Sequence, residues 1–260
     1  MPWREITTPY FIIVSEIMLQ QTQVHRVIPK FNSFMAHFPD WSSLAKASVK
    51  DVLQQWSGLG YNRRALYLKR IAEIVVSDPE YLFLQFSNNA PAPATYYEKL
   101  IDLPGIGPNT AGSILAFAFN IPELFIETNI RSVFIHSFFA GVKKKIHDED
   151  IFPLIGKTID NANPREWYWA LMDYGSYLKS TSVNPSRKSA HHVKQKSFKG
   201  SNRELRSKIL SLVMNKSLTQ ARIVSELSKP PFNSSQIEMN IEALAKEGFI
   251  KKVGKGYEIA

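Results

Sequence analysis

Two carboxylates are candidates for acid–base chemistry. Glu16 lies in the apolar run Phe11–Leu19, where burial would raise its pKa and let it hold a proton near neutral pH, as a general acid must. The helical pattern alone favours a surface position for Glu16. Glu127 follows the apolar stretch after Pro122 and either begins a helix capped by Thr128 or is brought near Glu16. Two carboxylates flanking a glycosidic carbon are the usual groups for a reaction through an oxocarbenium ion.

The stretch Leu103–Gly112, LPGIGPNTAG, is a candidate phosphate-binding turn between two helices. Gly105 and Gly107 allow a tight turn whose backbone amides, with the N-terminus of the next helix, can hold a phosphate. A dinucleotide fingerprint does not fit, because no strand precedes the turn and Pro108 follows the second glycine, and a Walker loop lacks its Gly-Lys-Ser/Thr. The pattern is typical of a helix-hairpin-helix, which grips a DNA backbone without reading its sequence.

Two other polar groups are less informative. Gln20, Gln21, Thr22 and Gln23 at a helix end form either an ordinary turn or a set of amides able to contact base edges. The histidines His191 and His192 are adjacent and have no carboxylate partner at ligand spacing, so we expect no metal site.

The composition excludes several classes of protein. The chain has 260 residues, a formal net charge of +9 and no cysteine, which excludes disulfides, thiolate zinc sites, iron–sulfur clusters and cysteine nucleophiles. The sequence contains no apolar run of the ~18 residues that a membrane helix needs, and its start lacks a signal-peptide pattern. We therefore expect a cytoplasmic protein that does not bind membranes.

The basic excess is concentrated in one stretch. Lys179–Lys216 contains ten basic residues and one acid, Glu204, which accounts for the formal excess of the whole chain. Such a stretch is either a solvated, flexible segment or a surface for a polyanion such as nucleic acid. On the second interpretation Lys194, Lys196 and Lys199 contact phosphate.

The elements that must position these residues are mostly helices. Residues 9–178 show helical periodicity almost throughout, and Val24–His37 carries a clear apolar stripe. Residues 203–260 predict three helices, the second beginning at Ser217–Thr219, and a β-hairpin, as in a winged helix-turn-helix. The lysines in that hairpin favour DNA contact over a purely structural role. We predict an all-α fold with domains at 1–183 and 203–260, joined by a basic linker at 184–202.

Several motifs resemble those of MutY-type adenine DNA glycosylases, in the helix-hairpin-helix glycosylase superfamily, and occur in the same order along the chain. The resemblance covers about residues 2–180. Its motifs are Pro2-Trp3-Arg4, SEIMLQQTQV at 15–24, WSGLGY at 56–61, the LPGIGPNTAG turn and MDYG at 172–175.

The resemblance implies a bilobal all-α fold that binds double-stranded DNA with the target base flipped out. Glu16 then matches the catalytic acid that protonates adenine. Glu127 matches the second carboxylate, which stabilises the oxocarbenium ion, and we include Asn129 among the catalytic residues. We expect the protein to act as a monomer.

The resemblance also implies DNA contacts. Gln20–Gln23 match a loop wedged into the duplex, and Tyr61 matches a tyrosine inserted beside 8-oxoguanine. The hairpin would hold backbone phosphate, with its carbonyl oxygens available to a monovalent cation. The hairpin residues expected to contact DNA are Gly105, Gly107, Asn109 and Thr110.

The chain departs from the family pattern in ways that affect the predicted function. Glu127 stands where the family normally has Asp, and Asn109 stands where strand-cleaving relatives have Lys. The four cysteines of the usual iron–sulfur cluster are absent, and the winged-helix-like segment replaces the lobe that recognises 8-oxoguanine. We therefore expect a monofunctional glycosylase, without a cluster, for adenine opposite 8-oxoguanine or guanine. The alternatives are a glycosylase for uracil or thymine opposite guanine or for hypoxanthine, and a non-catalytic, structure-specific DNA-binding protein.

Overall fold

A computed structural model describes residues 1–85, 95–193 and 197–260. In chain order its α-helices are α1 Pro2–Glu5, α2 Pro9–Leu19, α3 Val24–His37, α4 Trp41–Lys46, α5 Val49–Trp56, α6 Arg63–Ser77, α7 Thr95–Asp102, α8 Pro108–Phe119, α9 Thr128–Phe138, α10 Asp148–Thr158, α11 Pro164–Thr181, α12 Asn202–Val213, α13 Gln220–Leu227 and α14 Ser234–Lys246. The strands are β1 Leu218–Thr219, β2 Ile250–Val253 and β3 Gly256–Ile259, and short 3₁₀ helices occupy Pro79–Leu84 and Pro185–Lys188.

The contacts divide the chain into two compact units. The first unit comprises Met1–Gln20 and Asp78–Lys194, and the second comprises Gln21–Ser77 and Gln195–Ala260. This division differs from the predicted bounds, which are 1–183, 184–202 and 203–260. Residues 21–77 form one unit with residues 195–260. That the predicted domains, 1–183 and 203–260, fold independently stays a prediction.

In the first unit, helix pairs bring distant parts of the chain together. α9 packs on α11, and α2 packs on α8. The second pair is held by apolar side chains of α2 such as Ile13, which is fully buried. A β-carbon at Gly175 of α11 would overlap the backbone of Asn129 in α9, so glycine permits the close approach of these two helices.

In the N-terminal part of the second unit, α4 and α5 pack on α6. Trp56 at the end of α5 is fully buried and meets Phe34 of α3 edge-on, with ring centroids 6.2 Å apart. The indole nitrogen of Trp56 donates to the carbonyl of Gly60 at 3.1 Å. This bond closes the turn between α5 and α6, which carries Tyr61.

The C-terminal part of the second unit forms three helices and a small antiparallel sheet with the strand order β1-β3-β2. The helices and the β2–β3 hairpin were predicted, but the expectation that Ser217–Thr219 begins a helix was wrong. Leu218–Thr219 pairs with β3, where Gly256 leaves room for Ser217, and α13 begins afterwards with Thr219 as its cap.

The predominantly helical architecture confirms the predicted all-α class, with a small sheet at the C-terminus. Among the residues that the structure describes, no helix is both long enough and apolar enough to cross a membrane.

Candidate active site

Glu16 lies in α2 between the buried residues Ser15 and Ile17 and is itself half-buried. Its carboxyl oxygen Oε2 accepts a 2.6 Å hydrogen bond from the hydroxyl of Ser113. Burial raises the pKa of Glu16 to about 7; the Ser113 hydrogen bond opposes this rise and the nearby charge of Glu127 adds to it. The surface position favoured by the helical pattern is therefore wrong, and Glu16 can hold a proton near neutral pH.

Ser113 lies on α8 and is 3% exposed. Its oxygen is also 3.0 Å from the carbonyl oxygen of Thr110, one turn earlier in the same helix. A hydroxyl carries one proton, so Ser113 cannot donate to both acceptors fully at once. When Glu16 is ionised, Ser113 donates to it; when Glu16 is protonated, Glu16 can donate to Ser113, whose own proton then turns to Thr110. The local bonding thus accommodates both protonation states.

Glu127 occupies the N-cap position of α9, but its side chain makes no capping hydrogen bond. The alternative in which Thr128 caps this helix is not observed, because Thr128 is already its first residue. The carboxyl group turns instead to Asn129, whose Nδ2 donates to Oε1 at 3.1 Å. Burial raises the pKa of Glu127, against the charge of Lys179 and the hydrogen bonds from Asn129.

The amide oxygen of Asn129 is a second notable feature of this group. Oδ1 is buried and has no hydrogen-bond partner among the described residues. A buried acceptor without a partner costs free energy, of the order of 1–3 kcal/mol, unless a ligand or water satisfies it. Its position beside Glu127 makes it a candidate to orient a small donor such as water.

Asn109 at the start of α8 ties the Glu127 segment to the hairpin. Its Oδ1 accepts a 3.2 Å hydrogen bond from the backbone nitrogen of Ile126. One turn further along α8, a β-carbon on Gly112 would press against Phe125. Both contacts fix the backbone that leads into Glu127. Asn109 therefore stabilises this segment, in addition to the predicted contact with DNA.

The hairpin forms as predicted. Gly105 has a positive φ of 81°, and Gly107 is the N-cap of α8. The side chain of Gln20 reaches this turn: its Nε2 lies 3.1 Å from the carbonyl oxygen of Gly105 and 3.4 Å from the hydroxyl of Thr110. The structure therefore brings Gln20, predicted to wedge into DNA, together with the predicted phosphate-binding turn.

The other predicted contacts around the target base, Gln21–Gln23 and Tyr61, lie in the second unit. Gln21 has a positive φ of 54°, Thr22 accepts a 3.1 Å hydrogen bond from Arg64, and Gln23 is the N-cap of α3. Tyr61 also has a positive φ, 49°, which is uncommon for a residue with a side chain. Such backbone conformations concentrate at functional sites and turns.

The basic stretch is structurally heterogeneous. Lys199 is exposed, as a phosphate contact requires, whereas Lys194 and Lys196 lie outside the described residues. Other cations in the stretch have partners within the protein: Arg206 pairs with Glu247, and Lys208 with Glu204. The excess positive charge is therefore only in part available to a ligand.

The residues that follow α11 do not fit a cluster bound by thiolates. The chain has no cysteine, and Ser186 and Ser189 are buried in this segment. Backbone hydrogen bonds join Ile146 to Lys188 and Ala190 at 3.0 and 2.8 Å, so the segment is held by the polypeptide itself. The described residues contain no group of three or more His, Asp or Glu side chains that could hold a metal ion.

Sequence reasoning missed Ser113 and Lys179. Ser113 was detectable only as a polar residue within the apolar stretch of α8, a weak signal. Lys179 is half-buried near Glu127, and burial lowers its pKa while the charge of Glu127 opposes the change. Its part depends on the packing of α11 against α9, which no local pattern specifies.

The helical fold and its Gly-rich hairpin place the chain in a class of base excision DNA repair proteins. The family described as "HhH-GPD superfamily base excision DNA repair protein" matches residues 14–158, and the chain belongs to that family.

Similar proteins carry more specific names. The chain is 36% identical over 182 residues to an adenine DNA glycosylase of Buchnera aphidicola subsp. Baizongia pistaciae, covering 68% of this chain and 48% of that protein. It is 26% identical to an adenine DNA glycosylase of Mycolicibacterium smegmatis, covering 98% of this chain and 89% of that one. The chain thus spans about half the length of the Buchnera relatives it matches.

Solved structures support the fold. A thermostable thymine-DNA glycosylase superposes with a TM-score of 0.59 at 21% sequence identity, covering 73% of this chain and 84% of that one. At that identity the similarity establishes the architecture alone. It confirms the predicted helix-hairpin-helix glycosylase fold.

Proposed function

We propose that this protein is a monofunctional DNA glycosylase that hydrolyses the N-glycosidic bond of adenine mispaired with 8-oxoguanine or guanine. The observation that carries the proposal is Glu16, whose carboxyl group is poised to hold a proton near neutral pH and is hydrogen-bonded by Ser113. A general acid works best when its pKa lies near the operating pH. The names of the similar proteins supply the proposed base.

In the first step Glu16 donates its proton to a ring nitrogen of the flipped adenine. The bond between C1′ and the base then breaks, and its electron pair leaves with the protonated adenine. The positive charge that develops on the sugar is stabilised by the ionised carboxylate of Glu127. Asn129 holds that carboxylate through its amide nitrogen.

In the second step water adds to C1′. We infer that Glu127 and the buried amide oxygen of Asn129 orient this water, because both are acceptors for its protons. The oxygen of water bonds to C1′, and the proton it releases restores the starting protonation of the carboxyl groups. The products are free adenine and an abasic site.

The proposed DNA contacts come from both units. The hairpin with Gly105, Gly107, Asn109 and Thr110 holds backbone phosphate, and Lys194, Lys196 and Lys199 add sequence-independent affinity. Gln20–Gln23 and Tyr61 contact the duplex around the flipped base.

We propose a cytoplasmic monomer that needs no iron–sulfur cluster, with the hairpin carbonyls as the place where a monovalent cation would bind. Asn109 bears no amine, so it cannot form the Schiff base through which a strand-cleaving glycosylase acts. Cleavage should therefore require alkali after base release.

A second candidate is a glycosylase for a different mispaired or deaminated base. The observation that favours it is Glu127, one methylene longer than the aspartate implied by the resemblance, which places the charge about 1 Å differently, enough to affect catalysis. The two candidates share the fold and the general acid and differ in the base released.

The test is incubation of the protein with duplexes that carry a single defined mispair, followed by alkali and strand analysis. We expect scission at adenine opposite 8-oxoguanine and opposite guanine, and intact strands without alkali. Scission confined to uracil, thymine or hypoxanthine substrates would establish the second candidate. Tight duplex binding with no base release from any substrate would identify a non-catalytic DNA-binding protein.

A further inference from the structure

Two guanidinium groups of the second unit lie close to the ring of Tyr61. The guanidinium carbon of Arg203 is 4.9 Å from the ring centroid, and that of Arg64 is 5.5 Å from it. Arg203 also donates a 2.6 Å hydrogen bond to the phenolic oxygen. The side chain is therefore held at both its face and its tip.

The two arginines have different origins. Arg64 belongs to the turn itself: it is 6% exposed and donates to the carbonyl oxygen of Gly60 at 3.0 Å and to Thr22 at 3.1 Å. Arg203 is half-buried, is the second residue of α12 and lies 142 residues after Tyr61 in the sequence. Arg64 thus stabilises the turn from within. Arg203 contacts the turn from the C-terminal segment, which comprises residues 202–260.

The C-terminal segment is fastened to α6 independently of Arg203. Glu247, just after α14, accepts a pair of hydrogen bonds from Arg206 at 3.1 and 2.6 Å, and it also pairs with Arg63 at 2.8 Å. The buried side chains Leu205 and Ile209 anchor α12 within the segment. Removing the Arg203 guanidinium should therefore leave the segment in place.

The Arg203 contacts reduce the freedom of a residue proposed to enter DNA. A cation over an aromatic face is attracted to the ring, and a hydrogen bond from a charged donor is stronger than one between neutral groups. Ordering a side chain at an interface costs conformational entropy, and this cost is avoided if the side chain is ordered before binding. The stacking of Arg203 on the Tyr61 ring and its hydrogen bond to the phenolic oxygen provide such order.

We propose that Arg203 is a positioning residue for DNA recognition, which holds the Tyr61 side chain in the conformation that stacks in the duplex. The C-terminal segment then contributes to reading the base opposite the target adenine, and this inference rests on the function proposed above. Arg203 acts through Tyr61 and does not contact the reacting atoms.

The test uses the full chain and three substitutions. Arg203→Met keeps the length and the apolar stem but removes the charge and the donors, and Tyr61→Ala removes the ring. Arg222→Met is the matched control, because Arg222 is an exposed arginine of the same segment that pairs with Glu226. Duplex affinity and the single-turnover rate of base release are measured with adenine opposite 8-oxoguanine and opposite guanine.

Arg203→Met should weaken binding to the 8-oxoguanine duplex by about 5–30-fold, the equivalent of roughly 1–2 kcal/mol. The loss should be smaller for the guanine duplex, and it should fall on affinity more than on the rate at saturating duplex. In a Tyr61→Ala background the same substitution should have little further effect, since the ring it positions is gone. Arg222→Met should bind as the wild type does.

An equal loss of affinity in the presence and absence of the Tyr61 ring would overturn the inference, because it would mean that Arg203 binds phosphate directly. Unchanged affinity in Arg203→Met would overturn it as well. Failure of the proposed function is a separate result: the wild type would release no adenine, while the coupling between Arg203 and Tyr61 would still be measured by duplex binding.

Discussion

The hydroxyl of Ser113 lies 2.6 Å from Oε2 of Glu16, and the two residues are 97 positions apart in the sequence. The contact joins α8, which follows the hairpin proposed to bind DNA, to α2, which carries the proposed general acid. A hydroxyl that donates to a carboxylate stabilises its charged form, so Ser113 lowers the pKa that burial has raised. The pKa of Glu16 thus reflects burial and the charge of Glu127, which raise it, and the hydrogen bond from Ser113, which lowers it.

The first prediction concerns pH. The protonated form of Glu16 is the acid, so the single-turnover rate of the wild type should fall as pH rises through about 7. Ser113→Ala removes the hydrogen bond that lowers this pKa, so the alkaline limb should move to higher pH. The rate is measured from about pH 5 to about pH 9 on the same duplex, a range that brackets the expected pKa.

Ser132→Ala is the control for this prediction, since Ser132 is also a buried helical serine, bonded to the carbonyl of Thr128 in its own helix. Its pH profile should match the wild type. If Ser113→Ala keeps the wild-type limb, the hydrogen bond does not tune Glu16.

A second prediction concerns the acid itself. Glu16→Gln keeps the size of the side chain but cannot donate a carboxyl proton, so base release should slow by about 10²–10⁴-fold. Duplex affinity should change little, because the proposed phosphate contacts are elsewhere. Glu5→Gln, at an exposed glutamate, is the control and should retain the wild-type rate. Full activity in Glu16→Gln would refute the proposed mechanism.

The length of Glu127 can be tested separately from its charge. Glu127→Asp retains the charge but withdraws it by about 1 Å from the position held by Asn129, and a rate loss near 10²-fold is expected. Glu127→Gln removes the charge, and the loss of electrostatic stabilisation should cost about 10²–10³-fold. Single-turnover rates at saturating duplex measure both. A faster Glu127→Asp enzyme would show that the site is not built around glutamate.

The approach of α11 to α9 supplies a prediction about stability. In Gly175→Ala the new methyl group meets the backbone of Asn129, which should cost about 1–3 kcal/mol and displace a proposed catalytic residue. Thermal unfolding should show a lower Tm, and base release should slow. Gly141→Ala, where the methyl group meets nothing within 4 Å, should alter neither. A Gly175→Ala protein with wild-type stability and rate would contradict the close approach.

The last prediction addresses the basic stretch. Replacing Lys194, Lys196 and Lys199 with Gln should weaken duplex binding and flatten its salt dependence, by about 0.9 in the slope of log K against log salt for each DNA phosphate that the variant no longer neutralises. The control replaces three exposed lysines outside the stretch, Lys46, Lys50 and Lys157. Affinity and slope unchanged from the wild type would identify the stretch as a solvated segment.

Local sequence determined much of the secondary structure. The apolar stripe of Val24–His37 predicted α3 with its observed bounds, and Asp40 and Ser48 stand at the N-caps of α4 and α5 as short polar residues usually do. The hairpin was predictable because Gly105, with a φ of 81°, meets a backbone requirement that is local. The local rules failed at Leu218–Thr219, because these residues pair with β3, which is distant in the sequence.

The sequence by itself thus determined most of the helices, the hairpin and the absence of any thiolate ligand, and it identified Glu16 and Glu127 as candidates. The tertiary structure alone decided that Glu16 is desolvated beside Ser113, that Asn129 holds Glu127, and that Arg203 reaches Tyr61. The physical reason is that helix and turn formation depend on neighbours within a few residues. A pKa or a side-chain position depends on burial and charge contributed by elements far apart along the chain.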